Sequence, residues 1–126
     1  MAQAKRMNSA DNSWEADPWD ASDTVADAQL AGFTLRSVMA IDWRSVRHAG
    51  PMVFGLAVQQ LIGADVAFVA ECNGEDMLLM QLDWHGFPDP PEWRLATRPS
   101  GGESPWESWG YFAEVPGAWR LPPDGS

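Results

Sequence analysis

A chain of 126 residues has the length of one domain and can bury roughly two thirds of its unfolded surface, so a core is expected without disulfide staples. Lys and Arg total 8 against 18 Asp and Glu, and the resulting net charge of -10 repels phosphate backbones and anionic headgroups, which argues against direct nucleic-acid binding. The single cysteine, Cys72, excludes an internal disulfide, the first residues have no basic-then-apolar signal pattern, and no apolar run approaches the ~20 residues of a membrane helix. A cytoplasmic, reducing setting with no membrane contact is therefore expected.

Residues 1–21 carry Asp11, Glu15, Asp17 and Asp20 with few aliphatics, and read as a disordered acidic tail because so little apolar area cannot offset the entropy of ordering. Within it, Trp14 and Trp19 in SWEADPWDASD suit a short acidic-aromatic peptide for a basic, hydrophobic groove, although an idle solvated tail has the same composition.

Ser22 or Asp23 can cap a helix in which Leu30, Phe33, Val38, Ile41 and Val46 approximate helical spacing. Phe33, Leu35, Met39, Ile41 and Trp43 also fall on alternate positions, and Gly32 weakens a helix by ~1 kcal/mol relative to alanine. Over residues 33–62 helix and strand both stay open, with His48-Ala-Gly-Pro51 marking a turn. DVAFVAEC and MLLMQLDW, joined through NGED, predict a hairpin over residues 65–83 with Asn73-Gly74 at its tip. Val66, Phe68 and Ala70 would share one face and Ala67 and Val69 the other, with both faces at least partly covered.

Beyond Trp84 proline and glycine dominate. Trp93-Arg-Leu-Ala allows one short strand, and everything past Pro99 is expected to be irregular chain held by tryptophan packing, with residues 122–126 frayed. The expected architecture is thus α+β, a single domain over residues 22–121: an N-terminal helix, a small antiparallel sheet and a Pro/Trp-rich irregular C-terminal part. Eight tryptophans are many for this length, and Trp84, Trp93, Trp106, Trp109 and Trp119 crowd the C-terminal part as either core or interface residues.

The residues offer little for catalysis. Cys72 needs a base, and His48 and His85 are the two histidines available; a cysteine at a strand end reads more simply as a small apolar side chain. One cysteine and two separated histidines give no zinc-ligand spacing, Asp83 and His85 read as a surface pair, and no phosphate-binding loop or nucleophile elbow is present. Neither metal nor cofactor is expected. Glu71 with Glu75 or Asp76, around the turn, reads as solvated charge.

MLLMQLDWHGFPDPPEWRLAT resembles the stretch of the ubiquitin-conjugating fold, and of its noncatalytic RWD relatives, in which a strand runs through an aromatic-proline step and a Pro-Pro pair into the next strand. Phe87-Pro88 stands for the first, Pro90-Pro91 for the second, and Trp93 and Leu95 for the strand. The resemblance implies a helix before an antiparallel meander. The enzymes' downstream thiol and His-Pro-Asn element have no counterpart here, since Cys72 precedes the Pro-Pro pair and no histidine follows His85.

The sequence thus points to a noncatalytic module that recognises a partner protein through Trp84, Phe87, Pro90, Pro91 and Trp93, with Trp14 and Trp19 as a second contact. The competing expectation is an acidic inhibitor or immunity-type protein that neutralises a basic protein by complementary charge.

Overall fold

The computed structural model describes residues 14–18, 20–82, 92–101 and 103–122. Helix α1 (Asp23–Ser37) starts where Ser22 leaves helical geometry and its Oγ accepts from the Val25 N–H at 3.3 Å; Asp23 in the first turn and Arg36 in the last suit the helix dipole. It buries Ala26 and Phe33 and ends at Ser37, after which the period changes to two: Ile41 and Trp43 point inward while Asp42 faces out. Of the alternating set, Phe33 and Leu35 are helical, and the extended reading holds from Ile41 to Ser45. Ile41 and Trp43 exchange backbone hydrogen bonds with Arg120 (2.8 and 2.9 Å), and β1 (Arg44–Ser45) joins the main sheet.

A 3-10 turn (Val46–His48) leads to a miniature hairpin, β2 (Met52–Val53) and β3 (Leu56–Ala57), and then to α2 (Val58–Gly63). The long hairpin follows as β4 (Val66–Cys72) and β5 (Glu75–Gln81). At its tip Asn73 and Gly74 take φ of 58° and 80°, left-handed values that Asn and Gly tolerate and that match the twist of the flanking strands. With β6 (Trp93–Pro99) and β7 (Glu107–Phe112) the sheet has order β1-β4-β5-β6-β7, with every neighbouring pair antiparallel.

Both sheet faces are covered, as an almost unbroken apolar run in β5 demands. Phe68, Ala70, Met77, Leu79, Leu95 and Phe112 pack under α1 with Trp43 and Trp119. Val69, Leu78 and Ala96 pack on the other side against Val46, Val53, Val58 and Leu61. Val66 joins this second cluster and not Phe68, because the register with β5 shifts between Val66 and Phe68; the alternation expected from Val66 to Ala70 breaks there.

Two expectations are corrected by packing. Residues 14–18 of the expected acidic tail pack on the fold: Trp14 is 3% and Ala16 1% exposed, Glu15 and Tyr111 exchange backbone hydrogen bonds of 2.8 Å, and the Trp14 indole donates to the Trp109 carbonyl at 3.0 Å. The segment is an extra strand-like strap on the β7 edge, and its alternation of buried and exposed residues was hidden by an acidic average. Residues 1–13 lie outside the described residues. The chain past Pro99 is also not wholly irregular, since β7 completes the sheet. Gly110 makes this possible: it has φ 94°, and a Cβ there would fall 2.6 Å from Trp14 Cζ2 and 2.7 Å from the Glu15 carbonyl oxygen. Among the described residues no helix is long and apolar enough to cross a membrane.

Candidate functional site

The sheet register aligns two polar rows at the Asn73-Gly74 end. Glu71, Asp76 and Arg98 stand opposite one another across β4, β5 and β6, continuing the face of Val69, Leu78 and Ala96. Cys72, Glu75 and Pro99 form the row on the α1 face. An arginine on each face is drawn inward, and charges leave water only with partners.

Arg98 has three partners. Its guanidinium lies 4.4 Å from the Trp106 ring centre, Nη2 donates to the Phe54 carbonyl at 2.8 Å, and Nε stands 3.5 Å from Asp76 Oδ2. That last pair is a Coulombic contact and not a hydrogen bond, because Nε is sealed from solvent with no acceptor in bonding geometry. Asp76, read from sequence as solvated, is 3% exposed and also accepts from Ser100 Oγ at 2.9 Å. Phe54 occupies a turn with Gly55 at φ 56°, an unfavourable conformation for a bulky side chain, and its ring meets Trp106 at 5.9 Å.

Arg36 repeats the arrangement on the α1 face. Its Nε and Nη2 donate to the two Glu75 carboxylate oxygens at 3.0 and 2.6 Å, Nη1 donates to the Gly32 carbonyl at 2.8 Å, and the guanidinium sits 4.2 Å from the Trp109 ring centre. The Trp109 indole in turn donates to Thr97 Oγ1 at 2.8 Å. Planar guanidinium forks suit both the bidentate carboxylate and the aromatic face, which lysine cannot match.

Two open clefts meet at Arg98. One, of about 590 Å³, is lined by Phe54, Leu56, Glu71, Asp76 and Glu103. The other, of about 600 Å³, is lined by Pro99, Pro105, Trp106, Trp109, Glu75 and Glu107. Their walls combine half-buried rings with carboxylates, the mixture of apolar area and charge found at protein contacts.

No family model, curated protein or solved structure matches this chain.

Of the partner-binding residues expected from sequence, Trp14 is in the core, where its ring is not available to a partner. Trp93 is half-buried at the start of β6, with its ring 6.4 Å from Phe68. It belongs to the end of the sheet opposite Arg98, since β6 runs from Trp93, paired with Gln81, to Pro99, paired with Glu75. Trp19, Trp84, Phe87, Pro90 and Pro91 lie outside the described residues. Cys72 is a half-buried free thiol and His48 is exposed after β1, with no hydrogen bond joining them. Among the described residues no three His, Cys, Asp or Glu side chains gather as a metal would require.

Sequence reasoning missed Arg36, Arg98 and Phe54. A signal for Arg98 exists, because strand alternation puts it on the covered face of Ala96, where an arginine needs an acid; Asp76 opposite supplies one.

Proposed function

We propose that this chain is a noncatalytic protein-binding module of a reducing, cytoplasmic setting, and that its partner docks on the Trp106 rim at the Asn73-Gly74 end of the sheet. The carrying observation is the Arg98–Trp106 stack between two clefts. A half-exposed indole held by a cation, an ion pair and a strained turn is already in place before a partner arrives, so less side-chain entropy is lost on binding. Tryptophans fixed in this way supply a disproportionate share of interface energy. The platform expected over Trp84 to Trp93 falls mostly outside the described residues, so the Trp106 rim is the surface on which the described residues support the binding reading.

The reading is tested by using the chain as bait in its native host and measuring the affinity of the captured protein for the wild type, Trp106→Ala and Cys72→Ser. Trp106→Ala should weaken binding by about 2 kcal/mol or more, and Cys72→Ser should leave it unchanged. A captured protein that binds Trp106→Ala as tightly as the wild type overturns the site. A small-molecule turnover lost only in Cys72→Ser overturns the noncatalytic reading.

A further inference from the structure

We infer that the cleft lined by Phe54, Leu56, Glu71, Asp76 and Glu103 takes a lysine or arginine side chain from a basic segment of the partner protein; the inference rests on the binding reading above and names the partner's chemistry. Charge decides the occupant. Asp76 and Arg98 offset each other in the wall at 3.5 Å, which leaves Glu71 and Glu103 as unbalanced charge. Both glutamates are exposed, and among the described residues neither has a cation at ion-pair distance. The cleft therefore presents two net negative charges beside apolar surface.

The apolar part fits the same occupant. Long basic side chains carry a hydrocarbon stem that packs on apolar area while the head reaches a carboxylate. Phe54 and Leu56, half-buried on either side of Gly55, offer that area; the Arg98 hydrogen bond to the Phe54 carbonyl holds the backbone of this turn, and the Phe54 ring rests against Trp106 at 5.9 Å. An acidic segment meets repulsion from Glu71 and Glu103. An uncharged one leaves them desolvated without a partner, which disfavours it.

The test uses the 126-residue chain and two labelled peptides of equal length, one alternating lysine with glycine and one alternating glutamate with glycine. Fluorescence anisotropy reads binding at ~0.05 M salt, where exposed charges still act over more than 10 Å. The lysine peptide should bind and the glutamate peptide should not. In the variant carrying Glu71→Gln and Glu103→Gln the lysine peptide should bind roughly tenfold more weakly, the size expected for losing two rim charges. A control variant with Asp65→Asn and Glu114→Gln removes the same charge from exposed sites elsewhere and should bind like the wild type. No binding of the lysine peptide overturns the inference, as does an equal loss in both variants, which would assign the attraction to net charge alone. These failures are separable from failure of the binding reading, which turns on Trp106→Ala and the captured protein.

Discussion

The Arg98 guanidinium covers one side of the Trp106 indole, 4.4 Å from the ring centre, while Phe54 approaches the same indole at 5.9 Å. Trp106 is half-buried and packs against the margin of the second core cluster without being one of its buried members, so its removal should spare the fold. We expect Trp106→Ala to lose about 1 to 2 kcal/mol of stability, from one cation–π contact and one aromatic contact. Urea denaturation followed by circular dichroism checks this. Unfolding of the variant in buffer would make Trp106 a core residue.

Trp119 is the contrasting case. Its ring meets Phe112 at 5.7 Å and Trp43 at 5.3 Å, it is 5% exposed, and its indole donates to the Arg36 carbonyl at 2.8 Å across 83 residues of sequence. Trp119→Ala should lose roughly 3 to 5 kcal/mol, the range for a buried ring replaced by a cavity. A loss below ~1 kcal/mol in the same denaturation experiment would contradict the packing described.

Gly32 gives a change of sign. Glycine to alanine inside a helix ordinarily gains ~1 kcal/mol. Here an added Cβ would collide with the six-membered ring of Trp109, which is itself fixed by Arg36 and Thr97. Gly32→Ala should therefore lower the melting temperature, whereas Ala28→Gly on the exposed side should show the ordinary helix penalty. A Gly32→Ala protein more stable than the wild type would mean that Trp109 does not rest on α1.

Tyr111 is the single tyrosine, so its ionisation can be read without ambiguity from phenolate absorbance. Burial is the main cause that holds its phenol above the usual value of 10.0, the Asp17 carboxylate adds to it, and Arg94, pairing with Asp17 at 2.8 Å, opposes it. A group whose pKa is raised by folding keeps its proton longer in the folded state, so stability should fall as pH rises above ~10 and be independent of this group below that. Asp17→Asn should shift the phenolate transition to lower pH. A transition at or below 10 in the folded wild type would remove Tyr111 from this environment.

The long hairpin was legible because two local signals agreed: β-rich runs on both sides and Asn73-Gly74 between them, all within 18 residues or so of chain. The start of α1 was legible from Ser22 for the same local reason. What escaped depends on distance. Trp14 is buried only because Gly110 lets the strap approach β7, and a composition average over the tail carries no trace of that contact. The register shift at Val66 reverses a side-chain direction without any glycine or proline to announce it. The candidate site was the least legible, since Phe54, Asp76, Arg98 and Trp106 come from four separate segments, and each alone reads as an ordinary turn, charge or core residue.

Under the proposed function the partner docks on the Trp106 rim. The most direct measurement is amide and indole chemical-shift mapping of the labelled protein on addition of its captured partner. Perturbations centred on Phe54, Leu56, Glu71, Trp106 and Glu107 are expected, with α1 residues such as Ala28 and Leu35 unaffected. A map that leaves those five signals in place and moves another surface, whether the outer face of α1 or the Trp93 end of the sheet, would contradict docking on the Trp106 rim.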